Sequence, residues 1–568
     1  MIASRLRELI GRRYESLHQA ALILGLSAII SQVLALVRDR IFAHIFGAGA
    51  TLDIYYAAFK IPDLLFVSVA SLVSMSVLIP YFTRELKMSD KAARDFLDSV
   101  FTVFITLLVA LGGLAYLFMP RLAPLVAPGF SPEALAELVR VSRLLLLSPL
   151  FLGLSGHISS VVHSFKRFAI YALSPVLYNL GIILGALLLY PHFGLPGLAM
   201  GVVFGAFLHF AVQWPTVKSV GFAPRPRFPI IWSKVREVFL VSIPRTLTLG
   251  IHQIIIIFFT AMASSIATGS ISVFNFAFNL QSVPLAVIGV SYSMAAFPTL
   301  SRLFASGAIK EFGQQVSLAA RNIIFWSLPI TALFVVLRAQ IVRTILGTGA
   351  FDWTSTRLTA AALAIFAISV LAQGLVLLFV RGYYASGNTR TPLVINIVSG
   401  LTMIGLAYIF TEVLTNSQSF FYFFESLFRV TGISGREIVI LMLPLAYSLG
   451  IILAALIYLI LFSRRFGQEN RDIMRTLRHS FYAAVLMGAV AYEALALFDN
   501  LFNLETLPGI FMQGLLSGLV SIICGALVLI ALQNEEIGSL YATVRKRFWK
   551  GGVAYPVSVP GPEEINQG

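Results

Sequence analysis

The chain has 568 residues, 58% of them hydrophobic and only 12% charged, with a mean hydropathy of +0.87. A soluble protein of this length would need far more polar surface, so the composition excludes a globular cytosolic enzyme and predicts an all-α polytopic membrane protein. The 41 Lys+Arg against 26 Asp+Glu leave a charge of +15; in a membrane protein that excess reads as basic cytoplasmic loops, not as a nucleic-acid surface.

At the N-terminus Arg5, Arg7, Arg12 and Arg13 precede a long apolar segment. It lacks a short hydrophobic core followed by a cleavage site, which predicts a retained first helix and not a signal peptide. A spanning helix needs roughly 20 apolar residues. By that measure about fourteen spans follow, near 20–46, 53–83, 96–119, 134–163, 168–191, 195–217, 236–264, 270–300, 313–337, 355–384, 391–413, 437–462, 478–498 and 509–533.

The loops between them alternate. Bases collect at Arg84/Lys87/Lys91/Arg94, Lys166/Arg167, Lys218 to Arg236, Arg302/Lys310, Arg390, Arg464 to Arg475 and Arg545 to Lys550. The alternate loops, 47–52, 191–196, 267–269 and 499–508, are poor in bases. The positive-inside rule then predicts that both termini are cytoplasmic. Arg338 and Arg343 fall on the outer side and run against the pattern. The outer segment SFFYFFESLF predicts an interfacial helix.

Two stretches resemble each other. Ala58-Phe59-Lys60 aligns with Ala277-Phe278-Asn279, Ser74-Met75 with Ser293-Met294, and the segment from Pro80 to Arg84 with that from Pro298 to Arg302. A repeat at this distance predicts two pseudo-symmetric six-helix lobes with a central site between them. The expected boundaries are 1–225 for the first lobe and 226–465 for the second, split at Pro224-Arg225-Pro226-Arg227. Two added helices over 466–535 and a basic, then Pro- and Gly-rich tail over 536–568 complete the chain.

Charges inside apolar spans are costly, so they face a partner or a cavity. Arg38 and Asp39 read either as an intramembrane pair or as an anion site; an arginine fork suits phosphate. Lys60, matched by polar Asn279 in the second copy, reads as cavity-lining rather than snorkelling. Asp53 reads foremost as a carboxylate complementing the dipole of the helix it opens. On the seventh helix Arg245, Thr248 and His252 are spaced to share a face, which predicts a cavity wall. The lone Cys524 sits in an apolar run, and no disulfide framework is possible within one chain. No GxxxxGK[ST], GxSxG, HExxH or clustered acids occur, so no enzyme and no metal or other cofactor is expected.

The stretch RDRIFAHIFGAGATLDIYYAAFKIPDLL resembles the opening signature of the MurJ (MviN) family of lipid II flippases, within the MOP exporter superfamily. RGYYASGNTRTPL resembles that family's R-x-F-Y-A-x-x-D-T-x-T-P segment, and PRTLTLGIHQI with the second repeat supplies a third match. The resemblance implies two six-helix lobes in a V and a C-terminal helix pair forming a groove for a polyprenyl tail. It also implies a cationic cavity for the pyrophosphate and sugars of lipid II, flipped from inner to outer leaflet by alternating access. The substrate-binding set it suggests is Gln32, Arg38, Asp39, Asp53, Lys60, Arg245 and Asn279, in a monomer among membrane lipids and wall-synthesis proteins.

Departures from the family are equally specific. Relatives commonly carry arginine where this chain has Gln32 and Asn279 and another near Phe66, and a Glu-Gly pair where it has Ser71-Leu72. Arg245 is expected to replace part of the missing charge. Some members place an ion-coupling Asn or Asp where this chain has Phe259, which favours membrane potential over a sodium gradient as the drive. The alternatives are a flippase for another polyprenyl-linked saccharide, a drug/cation antiporter, which would want an acidic cavity, and a non-transporting scaffold of wall synthesis.

Overall fold

The computed structural model describes residues 17–70, 75–467, 470–538 and 540; among these the regular structure is helical, with no strand. The N-terminal arginines, Ser71-Leu72 and the tail beyond 540 lie outside the described residues. Among the described residues eleven helices are long and apolar enough to cross a membrane, and Trp353–Ile368 with Val370–Ala385, bent by 44°, makes a twelfth if taken as one span. The remaining two of the fourteen expected spans are also helical. One is Leu17–Phe46, whose 30 residues reach about 45 Å. The other is described as three helices, Ala50–Ala58, Lys60–Ala70 and Met75–Met88.

Both copies of the repeat are interrupted helices, but at different places: the first breaks at Phe59, between Ala58 and Lys60, whereas its counterpart Phe278 lies within the Ser270–Leu285 helix, and the second is interrupted by a π-turn over Ala286–Val290 ahead of the Ser291–Ala305 helix. Each copy keeps a proline inside its last helix, Pro80 and Pro298. The likeness extends further than the sequence comparison did. Ser131 caps the Pro132–Leu145 helix by accepting from the Ala134 N–H, and Asp352 caps the Trp353–Ile368 helix by accepting from the Ser355 N–H. Both caps close a short loop, Gly129-Phe130-Ser131 in the first half and Ala350-Phe351-Asp352 in the second.

Among the described residues, three large apolar clusters organise the packing. One lies within the first half, around Phe82, Phe96 and Phe104, and continues across the linker to Val235 and Val238. A second lies within the second half, around Phe312, Phe379 and Phe462. The third joins the halves, from Phe42 and Tyr55 to Phe276 and Phe351.

The linker is pinned to the basic end. Asp98 accepts from the Arg225 N–H at 2.9 Å, Thr102 from the Arg227 N–H at 2.8 Å, and Asp95 pairs with the Arg227 side chain. Lys234 and Arg84 both pair with Glu85, at 2.5 and 3.3 Å. Arg343, which ran against the loop pattern, is held at the opposite end: it donates to the Leu504 carbonyl at 2.7 Å and lies over the Trp353 ring. The arginine thus satisfies a carbonyl of the loop between the last two spanning helices. The SFFYFFESLF segment is a helix, Gln418–Phe428, with Tyr422, Phe423 and Leu427 exposed. The last two spanning helices form a hairpin in which Ser521 donates to the Met487 carbonyl at 2.6 Å. Arg321 ties its end down through Glu535 and Glu536.

Candidate functional site

The Leu17–Phe46 helix places Arg38 and Asp39 at the junction of the halves. Arg38 donates Nε and Nη2 to Asp39 Oδ1 at 3.0 and 2.8 Å, and Nη1 to Asn179 Oδ1 at 3.3 Å. Asn179 in turn donates to Ser31 Oγ at 3.3 Å. Asp39 is buried, and its second oxygen accepts from Asn279 Nδ2 at 3.1 Å. The pair therefore satisfies a buried carboxylate, as low-dielectric surroundings demand, and links the first half to the second through the residue aligned with Lys60. The Arg38 side chain remains 20% exposed. Gln32 lies half-buried on the same helix. Lys60 is buried at the start of the Lys60–Ala70 helix, with Asp63 one turn further on.

Asp53 differs from its sequence reading. It stands in the first turn of its own helix, as that reading has it, but its carboxylate makes its hydrogen bonds elsewhere. It caps the second half: Oδ2 accepts from the Gly269 N–H at 2.6 Å, and Oδ1 accepts from the Ser272 N–H at 2.8 Å and the Ser272 hydroxyl at 2.7 Å. Gly269 and Ser272 begin the Ser270–Leu285 helix, whose first N–H groups lack intrahelical partners and carry the positive end of the dipole. Proximity in sequence suggested the nearer helix end; tertiary folding supplies a better one.

Around this contact the halves close on one another twice. The Ala350 N–H donates to the His44 carbonyl at 2.9 Å, and His44 Nδ1 lies 3.0 Å from Thr348 Oγ1. Reciprocally, the Gly129 N–H donates to Ser264 Oγ at 3.2 Å. In each case the loop closed by the Ser131 or Asp352 cap meets the end of the other half's leading helix. Arg40 adds a bond to the Thr344 carbonyl at 2.6 Å. Three glycines with positive φ permit the approach: a Cβ on Gly47 would stand 2.4 Å from the Ala350 carbonyl oxygen, on Gly269 2.4 Å from that of Ala48, and on Gly349 2.3 Å from that of His44. This seal was missed in the sequence; the matching loops after the third and ninth spans were its only signal.

On the second half, Thr248 and His252 do line a cavity, of about 650 Å³, together with Arg381, Tyr384 and Asn396. The side chain of Arg245 lies outside the described residues. Phe259, at the position of some relatives' ion-coupling residue, is fully buried in an aromatic cluster with Phe274 and Tyr447, at ring distances of 5.9 and 6.3 Å. Among the described residues no group of three or more His, Cys, Asp or Glu could hold a metal. A cavity of this kind, with a guanidinium, hydroxyls and an amide on apolar walls, can bind an amphiphile with a polar, anionic group.

The profile of the family described as "Lipid II flippase MurJ" matches residues 42–513. "Probable lipid II flippase MurJ" of Rickettsia prowazekii (strain Madrid E) is 28% identical over 391 residues, covering 68% of this chain and 76% of its own. "Lipid II flippase MurJ" of Burkholderia cenocepacia is 26% identical over 391 residues, covering 67% and 76%. Among solved structures, "Lipid II flippase MurJ, inward closed conformation" superposes with a TM-score of 0.72 at 22% identity, over 90% of this chain and all of that one. A multidrug resistance MATE family transporter of the MOP superfamily, inward-facing, superposes with a TM-score of 0.61 at 14% identity, over 77% of this chain and 94% of that one. At these identities the two structures speak to the fold, and the profile, which spans most of the chain, speaks to descent. The chain belongs to the MurJ family of lipid II flippases.

Proposed function

We propose that this protein carries lipid II, an undecaprenyl-pyrophosphate-linked saccharide, from the inner to the outer leaflet of the bacterial cytoplasmic membrane by alternating access of its halves. The anionic headgroup cannot cross hydrocarbon alone, because an unpaired charge there costs many kcal/mol; arginines replace its lost hydration while the tail stays in lipid. The observation that carries the reading is the seal at the base-poor end. It consists of hydrogen bonds accepted by Asp53 and Asp39, donated by Arg40, and exchanged by the paired loops across the halves. Opening it leaves the core of each half intact, which is what a rocking transporter requires.

In this reading both termini are cytoplasmic, the protein works as a monomer, and the drive is the membrane potential or an ion gradient rather than a bound cofactor. Wall-synthesis proteins are its expected neighbours. Asn279, held by Asp39 where relatives carry arginine, favours a second reading, a flippase for another polyprenyl-linked saccharide. Complementation in bacteria depleted of their own lipid II flippase tests both. Rescue by wild type and failure of a normally expressed Arg38→Ala variant supports lipid II transport and an anion-binding Arg38. Failure of well-expressed wild type moves the substrate to another lipid-linked glycan. Rescue by both keeps the flippase and removes Arg38 from its site.

A further inference from the structure

A second large cavity lies away from the junction of the halves. It has a volume of about 940 Å³ and runs along the first half between the Asp90–Val126 helix, the Pro132–Leu145 and Leu147–Ser164 pair, and the Leu195–Ala211 helix. That size suits a lipid- or drug-sized ligand, about 300–1,000 Å³. Its walls are mostly aliphatic, and Val109, Leu147 and Met200 along them are exposed. On membrane-spanning helices such residues face hydrocarbon, so the groove opens to lipid and not to the central path.

Two features shape it for one kind of occupant. First, Gly112 and Gly113 line it, and a Cβ on either would meet nothing within 4 Å. Helix packing does not require these glycines. A glycine inside a helix is destabilising relative to alanine, and what the pair provides is open space on the face of its helix.

Second, the lining carries two arginines, Arg140 and Arg143, and no acid. Three residues apart, they share a helix face. Arg143 is held in place, with Nε donating to the Tyr116 carbonyl at 3.0 Å and the guanidinium 4.6 Å from the Tyr116 ring. That bond engages Nε, and the guanidinium keeps donors for a phosphate. Arg140 has Glu137 at 3.6 Å, an exposed pair of the weak kind.

The charges and the apolar floor are also separated along the membrane normal. Arg140 lies eight residues into a helix that begins beside the seal, about 12 Å along its axis. Leu108 lies eighteen residues from the end of its helix at Val126, about 27 Å along. The cationic rim is therefore nearer the membrane surface and the aliphatic floor nearer its centre, as head and chain are in a lipid.

We propose that this groove binds an anionic glycerophospholipid of the phosphatidylglycerol class, with its phosphate on Arg140 and Arg143 and one acyl chain over Gly112-Gly113. By the positive-inside rule its leaflet is the outer one. The site is separate from the transported substrate, so it stands or falls independently of the transport reading.

The test uses the purified full chain in detergent and native mass spectrometry, with phosphatidylglycerol and phosphatidylcholine of matched chains. Phosphatidylglycerol is retained in preference; Arg140→Gln with Arg143→Gln lowers that retention about tenfold. Gly113→Leu blocks it with both charges in place. Arg140→Gln alone, at an exposed side chain, leaves the fold intact and lowers retention in part. Equal retention of the two lipids overturns the proposal, as does a preference untouched by all of these variants. Displacement by millimolar inorganic phosphate would assign the arginines to a free anion, and preferential displacement by undecaprenyl phosphate would assign the groove to the transported class; either result overturns it.

Discussion

Asp53 and Ser272 occupy equivalent positions of the two repeats and are hydrogen-bonded to each other. The alignment of Lys60 with Asn279 carries Asp53 onto Ser272 at the same spacing of 219 residues. Equivalent residues touch in this way only where a two-fold axis passes between them. Here the contact has become asymmetric: one copy supplies a carboxylate and the other supplies the hydroxyl and backbone donors of a helix start.

That asymmetry predicts what removing the carboxylate does. Asp53→Ala leaves three buried donors, on Gly269 and Ser272, without their acceptor. Charge-assisted bonds are worth about 1.5–3 kcal/mol each, so the closed seal loses several kcal/mol against the open one. In a Cys524→Ser background, a thiol-reactive bifunctional reagent joins His44→Cys to Thr348→Cys efficiently. Adding Asp53→Ala lowers that yield severalfold. An unchanged yield would show that the seal does not depend on Asp53.

Glycine is required at the same surface. Gly269 has φ +89°, and an alanine there would meet the Ala48 carbonyl oxygen. The left-handed conformation alone costs a non-glycine residue about 1–2 kcal/mol, and the contact adds to it. Gly269→Ala therefore weakens the seal and abolishes complementation without preventing insertion. Gly25→Ala, at a glycine whose Cβ would meet nothing within 4 Å, is the neutral control. Both are read by growth against membrane levels of the protein.

Arg38 and Asp39 are coupled, and their substitutions should not add. Asp39→Ala strands a largely buried guanidinium, and Arg38→Ala leaves the carboxylate with the Asn279 amide as its hydrogen-bond donor across the halves. Breaking one member of a buried pair costs about 3–5 kcal/mol. Each single variant lowers the melting temperature in detergent, and the double variant recovers most of the loss. If Arg38 also binds the headgroup, the double variant stays inactive although its stability returns. Recovery of transport with stability would make the pair purely structural.

How far these residues could be read in advance depended on the range of the interaction. The fourteen helical segments were legible because each is set by local apolar length. Arg38–Asp39 was legible as a pair because the residues are adjacent. The polar face of Thr248 and His252 followed from helical spacing. Asp53 was not legible: its own helix offered a plausible dipole to complement, and nothing local shows that Gly269 and Ser272 arrive from another repeat. The alignment placed Asp53 opposite Ser272 from the outset, but equivalence in a repeat becomes contact only at the symmetry axis, and the axis is a property of the fold.

The basic end carries a prediction of its own, in pH. Glu85 sits in the last turn of the Met75–Met88 helix beside Arg84, outside the membrane span, and is buried there. Burial acts to raise its pKa, but the hydrogen bond and charge of Lys234, with Arg84, hold it below the ordinary value of 4.5. A depressed carboxylate contributes stability that is fully present above the unfolded pKa and is lost as pH falls through the folded one. The protein is accordingly expected to melt at a constant temperature from neutral pH to about pH 5 and to lose stability as pH falls through the unfolded and then the folded pKa of Glu85. Glu85→Gln lowers the melting temperature at neutral pH and flattens that acid limb, because the group that titrates is gone. Lys234→Met lowers it as well but leaves a carboxylate that gains stability from protonation, so its acid limb moves the opposite way. Thermal unfolding of the three proteins between about pH 7 and pH 4 separates these outcomes, and parallel curves would show that the Glu85–Lys234 pair does not hold the linker to the first half.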